Sequence, residues 1–338
     1  MTTTTDRSAV PAARERQPGP ISDLTTVGFA WLLVLGMFLD AYAHVFIGVD
    51  EEALVTPWHL AIYAGFALAS AWVAIVVGRY GGGTVATAPP GYGGAVAGLA
   101  IFGAGAVSDF AWHAAFGVEA ELEALLSPPH VLLFVGALLI MTGPFRAAWQ
   151  REDGARSLWP AMIALTGATS LTALFLGYSS AYAYPFPTAD ATGSLTQGIG
   201  VVPILVTNMI LVAPLLLLLR RWQPPMGAAT LLFGVTGALS TSFAAFGTSE
   251  LVLGTLAGGL AADITIRATR AGPRRPLAVR VVATVTPLVL WTSHMVILQV
   301  TSGLTWPAEL VSGVVLWAVL GGLALSLLTT SAAPVRNA

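Results

Sequence analysis

Cysteine and lysine are both absent from this chain, and only 9% of its residues are charged. Without thiols there are no disulfides, thiolate zinc sites, iron–sulfur clusters or copper–thiolate centres. Any metal must therefore be held by imidazole, carboxylate, carbonyl or thioether. Without lysine, all 15 fixed cationic side chains are arginines. So little charge in 338 residues, with 56% hydrophobic residues and a mean hydropathy of +0.78, excludes a soluble domain. The net charge of −2 gives no basis for a nucleic-acid partner. What is present instead is a succession of apolar runs of about 20 residues, the length a helix needs to cross a bilayer. The runs are continuous rather than alternating, which excludes a strand barrel. The fold class expected is an all-α polytopic membrane protein with the lipid bilayer as its main partner.

Ten spans are predicted, near 27–48, 57–79, 95–117, 128–149, 158–184, 198–219, 226–247, 250–267, 278–300 and 306–329, joined as five hairpins. Arginines fall only in the even-numbered connections and at the two termini: Arg7 to Arg16, Arg79, Arg146 to Arg156, Arg220 and Arg221, Arg267 to Arg280, and Arg336. The odd connections, such as VDEEALVT and VEAELEALLS, have none. Positive charge is retained on the cytoplasmic side, so both termini are expected there and the acidic loops outside. The organisation expected is a cytoplasmic polar tail over 1–26, without the short apolar core of a cleaved signal peptide. A four-helix half follows over 27–150, then a six-helix region over 151–330 and a second tail over 331–338. The glycine-rich connector 80–94 has no phosphate-loop spacing. The setting expected is a bacterial-type plasma membrane.

Chemistry is concentrated in the first half, where one pattern occurs twice. Asp40-AYA-His44-VFI-Gly48 is followed by an acidic turn and by Thr56-Pro57-Trp58-His59; Asp109-FAW-His113-AAF-Gly117 is followed by an acidic turn and by Ser127-Pro128-Pro129-His130. Four of the five histidines lie in these copies. Asp and His four apart share one helix face. The second His opens the next helix, behind a threonine or serine N-cap and a first-turn proline. A hairpin therefore brings each Asp and its two His together near the outer leaflet, and the two hairpins side by side are expected to bring all six residues into one polar pocket, as a dinuclear centre would require. Each charged residue inside a span costs roughly 2.5–3.5 kcal/mol on insertion scales, so Asp40 and Asp109 call for compensation. Two histidines and one carboxylate form a ligand set for non-haem iron, copper or zinc. The plainer alternative is a pair of Asp–His hydrogen bonds that hold helices together.

Other polar residues carry weaker expectations. Glu52 and Glu121 align when the two glycines are superposed and are candidates for bridging or supporting groups. His294 and Glu309 repeat the His44–His59 separation and are candidates for a relay, with a buried core histidine as the competing reading. Ser180-AYA-Tyr184 echoes Asp40-AYA-His44, as a degenerate further copy would. Asp263 and Arg267 are expected to pair along one helix, and Glu250 to cap the span it precedes. Trp58, Trp149, Trp159, Trp222 and Trp306 fall at span ends, where tryptophan anchors helices in the interface.

Over about residues 27–150 the two motifs resemble the metal-binding segments of the C subunit of particulate methane and ammonia monooxygenases. Asp40, His44 and His59 match one ligand set of that family. His113 and His130 match the other, with Asp109 where the family has asparagine. The resemblance implies copper, with iron or zinc as alternatives given the extra carboxylate. It implies an oxidoreductase, or a subunit of one, acting with dioxygen on small apolar molecules, with monooxygenase-like subunits or further copies of itself as partners. The alternative function is a membrane cation or proton transporter, or a protein that handles metal for assembly.

Overall fold

The computed structural model describes residues 17–48, 56–82, 85–117, 122–151, 157–188 and 194–329, and among these it is helical, without strands. The helices are α1 (Pro20–Tyr42), α2 (Pro57–Tyr80), α3 (Gly93–Phe116), α4 (Glu123–Leu126), α5 (Pro128–Met141), α6 (Gly143–Gln150), α7 (Trp159–Phe175), α8 (Ser194–Arg221), α9 (Ala228–Ser240), α10 (Val252–Thr269), α11 (Pro276–Thr301) and α12 (Ala308–Thr329). Seven helical runs are long and apolar enough to cross a membrane: those built on α1, α2, α3, α8, α10, α11 and α12. The other three segments expected as spans are helical but interrupted. Segment 128–149 is α5 and α6, bent by 44° where Thr142, Gly143 and Pro144 meet. A proline there removes an amide donor and clashes with the preceding turn.

The two remaining segments are short. In 158–184 the helix stops at Phe175 and gives way to a 3-10 turn at Gly177–Ser179. The Ser180–Tyr184 echo therefore lies in turns rather than on a helix, ahead of Pro185 and Pro187, which disfavour helix in the residues before them. In 226–247, α9 ends at Ser240 because the hydroxyls of Ser240, Thr241 and Ser242 each donate to carbonyls three or four residues back, in competition with helix continuation. The chain then reverses through Ala245 and Phe246, both with positive φ.

Helix α7 runs through the centre and is buried along almost its whole length. Helices α1, α5 and α6 pack on one side of it, and α8 and α9 on the other. The first half is two hairpins, α1–α2 and α3–α5, touching where Phe66 stacks on Phe102 at 4.7 Å. Both hairpins close by the same device. A Cβ at Gly36 would meet the Ala61–Ile62 backbone at 2.9 Å, and one at Gly65 the Leu33 amide at 2.5 Å. In the second hairpin, Gly105 meets Leu133 at 3.0 Å and Gly136 meets Phe102 at 2.6 Å. Gly105 follows Gly36 by 69 residues, as Asp109 follows Asp40; Gly136 follows Gly65 by 71, as His130 follows His59. The repeated spacing extends from the Asp and His residues to the helix–helix contact, where small residues allow close approach.

Three sequence expectations are corrected here. Helix α1 begins at Pro20, inside the expected tail, and carries Asp23 and Thr26 into the core. Asp23 is tolerated because Arg151 reaches it at 2.7 Å and the Tyr92 hydroxyl donates to it at 2.9 Å. Burial and the Asp23 carboxylate hold the Tyr92 phenol well above its ordinary value, so it remains a neutral donor. Trp72 donates to Thr26 at 3.1 Å, so this clamp ties α1, α2 and the start of α3 together at the end away from the triads. Secondly, Asp263 does not pair with Arg267. Its carboxylate accepts the amides of Ala229 and Thr230 at 3.1 and 3.0 Å and the Thr230 hydroxyl at 2.7 Å, capping α9 from a neighbouring helix. Thirdly, Glu250 lies in a 3-10 turn and gives α10 no side-chain cap. Of the expected interfacial tryptophans, Trp306 is buried, and Trp149 and Trp222 pack edge to face at 5.2 Å.

Candidate metal centre

Asp40 lies in the last turn of α1, and His44 follows it in a π-helical turn, Ala43–Ile47. Such wide single turns recur at functional sites. Gly48, with φ of +76°, ends the run, and its amide bonds back to Ala43. His59 enters from the first turn of α2, whose N-cap Thr56 accepts the His59 amide at 3.1 Å. The result is a triad. His44 Nε2 lies 3.7 Å from Asp40 Oδ2, and His59 Nε2 lies 3.4 Å from Asp40 Oδ1.

The second triad repeats this from α3 and α5. Asp109 Oδ1 faces His113 Nε2 at 3.4 Å and His130 Nε2 at 3.6 Å. Here α3 stays α-helical to Phe116, and Gly117, with φ of +84°, closes it by bonding to His113 O. Within each triad one ligand atom per residue lies within 4.8 Å of the other two. The six residues form two clusters rather than one. The clusters are neighbours, because Asp40 lies within electrostatic reach of both Asp109 and His130.

The surroundings of the imidazoles differ. His113 Nδ1 lies 3.2 Å from the Gly117 carbonyl, and His130 Nδ1 lies 2.7 Å from the Ser127 hydroxyl. Ser127 was expected to cap α5; it makes no backbone cap bond and turns to the imidazole instead. A carbonyl can only accept, so His113 donates from Nδ1, and in its neutral form it presents the lone pair of Nε2 to Asp109. Two acceptors then face one another, and a cation between them resolves the conflict. In the first triad the Nδ1 of His59 is buried without a hydrogen-bond partner. Tyr63, one turn along α2, stacks on the His59 ring at 6.1 Å. It had not been singled out in the sequence, although its i+4 spacing from His59 was visible there.

Both carboxylates carry an orphan. Asp40 Oδ1 and Asp109 Oδ1 are buried and have no hydrogen-bond partner. Separations of 3.4–3.7 Å are too long for charge-assisted N–H···O bonds, which close to about 2.7–2.9 Å. They suit donors around one ion, since two bonds near 2.0–2.1 Å at a tetrahedral angle hold their donor atoms roughly 3.4 Å apart. The donor set of nitrogen and oxygen, with coordination positions left open, fits copper, iron or zinc.

The remaining candidates are dispersed. Glu52 and Glu121 lie outside the described residues. His294 is buried in α11 against Trp291 and Tyr182, with Nδ1 unpartnered, whereas Glu309 is exposed in the first turn of α12. No ion pair joins them among the described residues. With the fold and both triads in view, no family model, no curated protein and no solved structure matches the chain.

Proposed function

We propose that this protein is an integral membrane metalloprotein holding one ion in each triad, with Asp40, His44 and His59 as one ligand set and Asp109, His113 and His130 as the other. The observation that carries this reading is a buried, unpartnered oxygen on each carboxylate, with two imidazole nitrogens facing each carboxylate group at distances too long for direct hydrogen bonds. Copper is favoured over iron and zinc by the resemblance to the monooxygenase C subunit. The same resemblance favours a monooxygenase-like protein or subunit acting on small apolar molecules. A bound redox ion would supply the centre at which dioxygen reacts. The chain would supply the ligands and their orientation, with the Tyr63 ring stacked on His59.

The topology belongs to the same proposal: ten crossings, both termini cytoplasmic, and the triads towards the outer leaflet. The arginines at the ends of α2, α6, α8 and α10 mark the opposite end of the bundle from the triads. Reporter fusions after residues 52 and 122 are expected outside and those after 88 and 154 inside; one exchanged location breaks the scheme.

Metal analysis with electron paramagnetic resonance on the purified chain tests the metal reading. The expected result is stoichiometric copper with nitrogen hyperfine structure. Asp109→Asn restores the residue of the resembled family and is expected to keep copper, the amide oxygen remaining a donor. Loss of most metal in that variant assigns the site to an ion that needs the carboxylate charge. A chain purified from metal-replete cells without stoichiometric metal overturns the proposal.

A further inference from the structure

At the end of the molecule away from the triads, the last turns of α8 and α10 and the connection after α10 expose six arginines: Arg220, Arg221, Arg267, Arg270, Arg274 and Arg275. The acidic residue at this end of α10, Asp263, is buried and committed to the amides at the start of α9. It neutralises none of them. Arg267, four residues on, is exposed and makes no ion pair among the described residues. Its side chain borders an open groove of about 320 Å³, lined also by Ser157, Leu158 and Trp159 and by Gln223, Pro224 and Pro225. Ser157, Trp159 and Gln223 supply the groove's other polar or amphipathic groups, and Pro224 and Pro225 stiffen one wall. Trp159 is 40% exposed and lines the groove, with its ring edge close to Gly227.

We infer that this groove binds the headgroup of an anionic phospholipid, with the phosphate on Arg267 and the upper acyl chain along Trp159. Guanidinium suits this task because its fork of donors engages two phosphate oxygens at once. Clusters of four to eight basic side chains beside membrane helices are the usual mark of anionic-lipid recognition. An indole at the water–lipid boundary packs on glycerol and acyl carbons while its N–H remains solvated. Ser157 and Gln223 offer hydrogen bonds to the glycerol or headgroup hydroxyls. Inorganic phosphate shares the anionic chemistry but has nothing to place against Trp159.

The test uses the full chain in nanodiscs of phosphatidylcholine doped with phosphatidylglycerol, with thermal unfolding and native mass spectrometry as readouts. Wild type is expected to gain stability with phosphatidylglycerol and to retain it as bound lipid, and to respond to neither phosphatidylcholine alone nor inorganic phosphate. Arg267→Gln is expected to bind the anionic lipid about fivefold more weakly, the weight of one interfacial arginine. Trp159→Ala should also weaken retention, while Arg274→Gln, outside the groove, should change it less. Equal lipid retention in wild type, Arg267→Gln and Trp159→Ala overturns the inference. So does stabilisation by inorganic phosphate equal to that by lipid, which would make the groove a site for free anions. None of these readouts depends on metal, so the inference stands or falls apart from the triads.

Discussion

The two hairpins that carry the Asp–His–His triads differ less in what they present than in how they hold it. Each offers one aspartate and two histidines, each ends its first helix at a positive-φ glycine, and each crosses on a reciprocal pair of glycines at the same register. The supports differ. In α3–α5 both imidazoles are held from behind, His113 by the Gly117 carbonyl and His130 by Ser127. In α1–α2 the capping Thr56 is used on the backbone, His59 Nδ1 has no partner, and His44 rides on a π turn. Groups that fix the far nitrogen of a ligating histidine set its tautomer and orientation and raise its affinity for metal. The comparison teaches that the two hairpins share the same three side chains but not the atoms behind them, so the second triad is the better organised of the two.

The comparison breaks most easily at the ligands themselves. Removing an imidazole strands a carboxylate in an apolar setting. His44→Ala should therefore empty the first triad and leave the second loaded, and His113→Ala should do the reverse, with metal counted per chain by mass spectrometry. Unchanged metal in both variants would reduce the six residues to helix glue, and loss of all metal in either would mean that the two sites load as one. The glycine crossings come next. Gly65→Ala and Gly136→Ala each drive a methyl into backbone at 2.5 and 2.6 Å and should cost about 1–3 kcal/mol or more in thermal or denaturant unfolding, by similar amounts. A large disparity would show that the hairpins are not packed alike.

The finest test concerns the caps. Ser127→Ala should weaken metal at the second triad by roughly 10–100-fold, as loss of a supporting hydrogen bond does. Thr56→Ala should instead destabilise the start of α2 by about 1 kcal/mol and affect metal only secondarily. Titration of each variant with copper, alongside its unfolding curve, separates the two effects. Equal losses of affinity would remove the distinction between the hairpins.

Much of the site was legible because its decisive spacings are local. Asp40 and His44, or Asp109 and His113, share a face through helix geometry alone, and the prolines at 57 and 128 fix where the second histidines re-enter. The π turn at His44 left no mark in the sequence, because Asp-AYA-His and Asp-FAW-His read alike; the two turns diverge only in the folded chain. Helix length was legible where apolar runs were uninterrupted. It was overestimated where Ser240, Thr241 and Ser242 turn their hydroxyls onto the backbone, and where α7 stops at Phe175 and gives way to a 3-10 turn.

The sequence by itself determined that the chain is a helical membrane protein, that its cations are all arginine, and that two Asp–His–His sets lie on two similar hairpins. Those properties follow from composition and from contacts within a turn or across one short connection, which chain geometry dictates. Only the tertiary structure decided which partner each polar group takes. Asp263 caps α9 rather than pairing with Arg267, Ser127 meets an imidazole rather than an amide, and Asp23 is buried against Arg151 and Tyr92. It also decided that the two triads are neighbours yet distinct. The physical reason is that a buried polar group takes the partner that packing brings within about 3 Å, and separation along the chain does not set that distance between helices.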